Sequence, residues 1–216
     1  LFGTTIIDPP WPYDKSSHHK SLRGYSTDHE YEALTIERLA ALPIGSLTQY
    51  VFLWTTGPFI EDAYKLLRQW GFEPKTFMAW VKAQEIIPGN ETPFKPSYGV
   101  GYWFRGCVEP IILAKQPDSP SIRTSWIGLL CPNARHSRKP DTLHELIEKD
   151  FPGPYLELFG RRSRQELGPP SNSFSELRKP QIVNHKPWTV IGNELCLGED
   201  IEISIKKLLD PSLRNE

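Results

Sequence analysis

Thr4-Thr5-Ile6-Ile7-Asp8-Pro9-Pro10-Trp11-Pro12-Tyr13-Asp14 sets a short apolar run against a carboxylate and a cluster of prolines. Residues 4–7 read as a buried β-strand. Pro9 and Pro10 must end it, because each lacks an N–H and fixes its own φ, so neither can extend a ladder or a helix. The strand therefore stops abruptly with an acid and an indole at its tip.

Working outward, apolar strands alternate with amphipathic helices. Strands are predicted at residues 50–54, 76–81, 108–114, 155–159 and 189–191. Pro110 places the strand at 108–114 at a sheet edge or in a bulge. A first helix spans residues 35–42, with Thr35 as its N-cap. The clearest helix follows Gly57-Pro58: Phe59, Ile60, Ala63, Leu66, Leu67 and Trp70 share one face, and Gly71 stops it. Residues 140–150 form a third helix with Leu143, Leu146 and Ile147 inward. Asp200 caps a fourth, with Ile201, Ile205, Leu208 and Leu209 on one side. Residues 83–96, 116–138 and 165–187 read as loops. No repeat or linker interrupts the 216 residues, so residues 1–216 make a single α/β domain with a mostly parallel sheet.

Mean hydropathy of −0.43 describes a globular chain, and its apolar runs are too short to cross a bilayer. Leu1 at the first position implies a start further upstream. Cys107, Cys131 and Cys196 form no C-x-x-C pair, which disfavours a disulfide framework or zinc site and suits a reducing cytoplasm or nucleus. Net charge is −1, so a nucleic-acid partner must be held by local basic patches rather than by a global field.

Open parallel sheets bind ligands beyond the carboxyl ends of their strands. Here those ends carry Asp8-Pro9-Pro10-Trp11, Trp54-Thr55-Thr56-Gly57, Phe159-Gly160-Arg161 and Gly192-Asn193-Glu194. Asp-Pro-Pro alone is an ordinary strand terminator. With the indole and the preceding apolar strand, it suits group transfer to an aromatic amine. Such a nitrogen is a poor nucleophile because its lone pair is conjugated with the ring. The Asp8 carboxylate and the Pro9 carbonyl offer two acceptors for the two hydrogens of an exocyclic NH2. Pro9 and Pro10 stiffen the turn that holds those acceptors. Trp11 or Tyr13 is the candidate ring to stack on a base.

The chain resembles the MT-A70 family of S-adenosylmethionine-dependent adenine N6-methyltransferases over nearly its whole length. The resemblance rests on Asp8-Pro9-Pro10-Trp11, Gly24-Tyr25-Ser26-Thr27, Leu53-Trp54-Thr55-Thr56-Gly57, Trp70-Gly71-Phe72, Trp80-Val81-Lys82, Arg135-His136-Ser137-Arg138-Lys139-Pro140-Asp141, Glu157-Leu158-Phe159-Gly160-Arg161, and Trp188 with Gly192-Asn193-Glu194. It implies a Rossmann-like class I methyltransferase fold, with helices on both faces of the sheet. It also implies a permuted order, in which the catalytic tetrapeptide precedes the main cofactor strand. Asp8, Pro9, Pro10 and Trp11 become the catalytic unit. Asp8, Lys139, Phe159, Gly160, Arg161, Asn193 and Glu194 become the contacts to S-adenosylmethionine, with S-adenosylhomocysteine as product. Tyr13, Lys15, His18, His19, Lys20, Arg23 and Tyr25, with Arg135 and His136, border the acceptor site.

No metal is expected, since His18 and His19 lack companion ligands at suitable spacing. The implied reaction is methylation of adenine N6 in DNA or RNA, with DNA placed ahead for a chain this compact. A silent nucleic-acid-binding subunit and an enzyme acting on another amine, such as cytosine N4, are the rivals. The resemblance leaves room for a homodimer or a heterodimer with another methyltransferase subunit, and for no membrane. Two features depart from the RNA-modifying members. The chain starts almost at the catalytic strand, and Arg162-Ser163-Arg164 stands where those members have Pro-His-Asn. Gly101-Tyr102-Trp103-Phe104-Arg105 reads as packing rather than as a base platform, and Glu109 is left without a role.

Overall fold

The computed structural model describes residues 1–13, 33–86, 94–97, 104–132, 139–160, 188–192 and 201–210. Strand β1 is Phe2–Ile7. It runs parallel to β2 (Thr48–Trp54) on one side and to β7 (Tyr155–Leu158) on the other. The other strands are β3 (Glu73–Ile86), β4 (Phe94–Pro96), β5 (Val108–Lys115), β6 (Leu129–Pro132) and β8 (Trp188–Ile191). They form one mixed, mostly parallel sheet in the order β4-β3-β5-β2-β1-β7-β8, with β6 paired to β3.

Successive residues of a strand face opposite sides, and β1 shows the consequence. Ile7 enters a core with Leu39 of helix α1 (Ile36–Ala41), Leu66 and Leu67 of α2 (Ile60–Gln69), and Ile205 of α4 (Ile201–Leu209). Ile6 enters the opposite core with Leu143 and Ile147 of α3 (Thr142–Asp150). Helices therefore cover both faces, as expected for a Rossmann-like sheet. The predicted start of α1 and stop of α2 also hold. The Thr35 hydroxyl accepts from the Arg38 amide at 3.3 Å. Gly71 follows α2 with a φ of 85°, a conformation that suits glycine.

Strands β1, β2, β7 and β8 run parallel, so their carboxyl ends share one edge of the sheet. Strand β5 is antiparallel to both β2 and β3. Its first residues, and the far part of β3, therefore lie at that same edge. Strand β6 runs parallel to β3 and ends there too. One edge thus collects the tips that the sequence marked.

Three predictions need correction. Strand β5 is interior, between β3 and β2, despite Pro110. The Pro110 carbonyl accepts from the Thr55 amide at 3.0 Å, so the N–H that proline lacks would point the same way. That position lies past the last β2 pair, Trp54 with Ile111, so no ladder bond is lost. Residues 83–96 are not simply a loop, because β3 continues to Ile86 and pairs antiparallel with β4. Residues 129–132, within the predicted loop 116–138, form β6. Asp200 and the loop 165–187 lie outside the described residues.

Leu66 is fully buried on the inner face of α2, whereas Gln69 is exposed. Leu66→Ala should lower unfolding free energy by about 2–5 kcal/mol, read from urea denaturation. Gln69→Ala should leave the midpoint near that of wild type, and equal effects of the two changes would contradict this orientation of α2.

Candidate active site

Asp8 lies one residue past β1, and its amide still donates to the Leu158 carbonyl of β7 at 3.3 Å. Pro9 and Pro10 then take the chain off the ladder. The Trp11 amide donates to the Pro9 carbonyl and the Tyr13 amide to the Trp11 carbonyl, both at 2.9 Å. This i to i+2 spacing is that of γ-turns. The Leu34 amide donates to the Pro10 carbonyl at 3.1 Å. The turn is thus tied at successive residues, while the Pro9 carbonyl keeps a second lone pair for another donor.

The two candidate rings are placed differently. Trp11 is only 6% exposed. Its ring stacks on Phe59 at 5.3 Å between centroids, and its indole N–H donates to the Trp54 carbonyl at 3.3 Å. Tyr13 meets Phe59 edge-on, and its hydroxyl shares a 2.5 Å hydrogen bond with that of Thr56. At 49% exposure, Tyr13 presents the more accessible ring. Burial of its hydroxyl pushes the phenol above its ordinary pKa, so it remains a neutral donor and acceptor at physiological pH.

Lys139, three residues before α3, points at the strand tips. Its ammonium lies 3.1 Å from the Asp8 carboxylate and 3.0 Å from that of Glu109. The second oxygen of Glu109 pairs with Lys82 of β3. Lys139 also lies 5.0 Å over the Trp54 ring and Lys82 5.1 Å over the Trp80 ring. These two indoles meet edge to face at 5.9 Å. Two cations and two carboxylates therefore rest on an aromatic floor. Burial alone would lower the Lys139 pKa, but Asp8 and Glu109 outweigh it and hold the ammonium above its ordinary value. Burial alone would raise that of Glu109, but Lys139 and Lys82 hold it below its ordinary value.

At the tips of β7 and β8, Phe159 takes a φ of 65° and Gly160 is buried. A Cβ on Gly192 would strike the Gly160 carbonyl oxygen, and one on Gly160 would strike the Val190 side chain. The two tips thus touch backbone to backbone, and glycine is needed for that contact. Behind them, Glu157 pairs with His144 of α3 at 3.0 Å, and the Trp188 indole donates to Glu148 at 2.7 Å.

The structure brings Asp8, Pro9, Trp11, Tyr13, Lys139, Phe159 and Gly160 to the shared edge, with Pro10 completing the turn. Lys15, His18, His19, Lys20, Arg23, Tyr25, Arg135, His136, Arg161, Asn193 and Glu194 lie outside the described residues. Phe104 is 88% exposed, contrary to its expected packing. Sequence reasoning missed the roles of Glu109, Lys82 and Trp54 here. Trp80-Val81-Lys82 carried a signal as a motif, but the meeting of Lys82 with Glu109 required the pairing of β3 with β5.

A family profile described as MT-A70 matches residues 2–168. A putative N(6)-adenosine-methyltransferase MT-A70-like protein of Medicago truncatula is 27% identical over 172 residues, covering 77% of this chain and 25% of that protein. The N(6)-adenosine-methyltransferase catalytic subunit METTL3 of Homo sapiens is 30% identical over 166 residues, covering 74% and 26%. Type II methyltransferase M.MunI of Mycoplasma sp. is 30% identical over 180 residues, covering 75% and 73%. The chain thus spans about a quarter of the length of the first two relatives and most of the third.

The charge cluster should leave a signature in stability. Lys139 has a folded pKa above 10.5, so its contribution is full below that pH and is lost as pH rises through the folded value. Glu109 has a folded pKa below 4.5, so its contribution is full above that pH and is lost as pH falls through the folded value. Lys139→Met leaves two carboxylates without their shared cation and should cost about 3 kcal/mol at neutral pH. The gap from wild type should shrink above pH 10.5, as measured by urea unfolding across a pH series.

Proposed function

The chain belongs to the MT-A70 family, and we propose that it transfers a methyl group from S-adenosylmethionine to the N6 amine of adenine in nucleic acid. The observation that carries this reading is the Asp8 carboxylate, fixed at the tip of a buried strand and 3.1 Å from the Lys139 ammonium. A carboxylate anchored there accepts an N–H without reorganising.

The cofactor supplies a methyl group on a sulfonium, an electrophile that needs no further activation. The Asp8 carboxylate accepts one hydrogen of the adenine amine and the remaining lone pair of the Pro9 carbonyl accepts the other. Together they withdraw the nitrogen lone pair from conjugation and aim it. The proton that the amine sheds as its new N–C bond forms passes to the Asp8 carboxylate and from there to solvent. Trp11, locked between Phe59 and the Trp54 carbonyl, walls the pocket, and the exposed Tyr13 ring is the surface offered to the base. Orientation supplies much of the rate.

The donor set at the edge fits the cofactor. An ammonium has three N–H donors. Asp8 and Glu109 face Lys139 from two sides, which leaves a third donor for the methionine carboxylate. Phe159 and Gly160 border the same edge. Arg161, Asn193 and Glu194 follow the β7 and β8 tips in sequence and supply side chains suited to ribose hydroxyls and the methionine amine. Lys15, His18, His19, Lys20, Arg23, Arg135 and His136 are the phosphate contacts in this reading, with Tyr25 beside the base.

Radiolabelled methyl transfer to double-stranded DNA, single-stranded DNA and RNA, followed by digestion, should yield N6-methyladenine. Label in cytosine alone, or none on any substrate, would overturn the proposal. Asp8→Ala should reduce turnover at least about 10²-fold. Its circular dichroism should stay near wild type.

A further inference from the structure

Glu109 enters the site from β5, opposite Trp80 of β3 in the strand register. Its side chain is 16% exposed and that of Lys139 20%. Charges so shielded from water interact strongly and are little screened by salt. A lysine stem is long and flexible, so something must fix where its ammonium rests. Asp8 alone would hold the ammonium from one side only. Glu109 shares that cation, and Lys82 and the backbone of β5 hold Glu109 in turn.

We infer that Glu109 is a positioning residue for methyl transfer: clamped by Lys82, it fixes the Lys139 ammonium between two carboxylates and so fixes the place of the cation that faces Asp8. The inference rests on the reading of Asp8 as the amine acceptor. It concerns where Lys139 sits, which cofactor-free protein can report.

Among the described residues, the charged and titratable groups around Lys139 are Asp8 from the β1 tip, Glu109 from β5, Lys82 of β3 beyond Glu109, and the Tyr13 hydroxyl from the turn after β1. Two substitutions perturb this set in opposite electrical senses. Glu109→Gln removes an anion beside Lys139 and leaves Lys82 as an uncompensated cation. Lys139 should then titrate at lower pH than in wild type. Lys82→Gln removes a cation and leaves Glu109 wholly to Lys139, which should then titrate at higher pH. Both loosen the clamp, so both should slow the reaction.

The experiment follows the Lys139 ε-CH2 signals by NMR against pH, assigned by their loss in Lys139→Arg, alongside kcat and KM on adenine-containing DNA and RNA. Glu109→Gln should lower kcat about tenfold or more, change KM for nucleic acid little, and move the alkaline limb of kcat to lower pH with the NMR midpoint. Lys82→Gln should lower kcat by a smaller factor and move both midpoints upward. Glu109→Asp, with charge kept and reach shortened, should restore the midpoint more fully than kcat. Wild-type kcat with an unmoved midpoint in Glu109→Gln would overturn the inference. Should that variant not fold, wild-type kcat and an unmoved midpoint in Lys82→Gln would do the same. A wild-type protein that methylates no adenine would sink the reading of Asp8 and the inference with it. Normal wild-type methylation beside indifferent variants would sink the inference alone.

Discussion

β1 is paired along both sides, to β2 from Thr4–Tyr50 to Ile7–Leu53 and to β7 from Thr4–Tyr155 to Ile7–Leu158. Both neighbours run parallel to it, and both end level with it. A slip of one residue would exchange Ile6 and Ile7 between the two cores and carry Asp8 to the wrong face. Burial on both faces therefore fixes the position of the carboxylate more firmly than any local contact. Pro9 and Pro10 then make the exit unavoidable, since neither can extend a ladder. The chain leaves the sheet where β2, β7 and β8 also present their ends, and the crevice follows from that coincidence.

The charge cluster is a poor device for stability. Removing four charges from water costs more than exposed pairing returns, and an apolar replacement would serve the fold as well or better. Its composition makes more sense as chemistry. Asp8, Glu109, Lys139 and Lys82 sum to zero formal charge, so the cluster holds two carboxylates at the strand tips without a net charge of its own. The indoles of Trp54 and Trp80 add attraction for the two cations. The upward shift at Lys139 and the downward shift at Glu109 are those of charges that hold each other ionised.

Much of this was legible in the chain, for identifiable reasons. Strand β1, helix α2 and the Gly71 stop each carry their own periodicity or terminator, so local sequence suffices. Short strands such as β4 and β6 have no run long enough to declare themselves, and β3 reaches Ile86 because β4 pairs with it. Pro110 misled because its position in β5 was judged without knowing where β2 ends. Glu109 and Lys82 are 27 residues apart, and only the antiparallel register joins them. On α3, Leu143 and Ile147 were readable as inward. His144 and Glu148 are buried as well, since Glu157 and Trp188 bring partners to them from β7 and β8.

Trp11 has a structural place in the turn that needs no base stacking. Its ring is covered on one side by Phe59, so it offers little surface to a base. Its indole N–H instead ties the Asp8 turn to the carbonyl of Trp54. The ring of Trp54 lies beneath Lys139, and Lys139 faces Asp8. Asp8, Lys139, Trp54 and Trp11 thus close a circuit: through the ammonium on one side and through the indole hydrogen bond and the stiff Pro9-Pro10 backbone on the other. A phenylalanine at position 11 would keep the stacking partner of Phe59 but lack the donor that closes the circuit. An indole is therefore the aromatic side chain that meets both demands here, and the strand-breaking turn becomes one side of a rigid frame around the carboxylate.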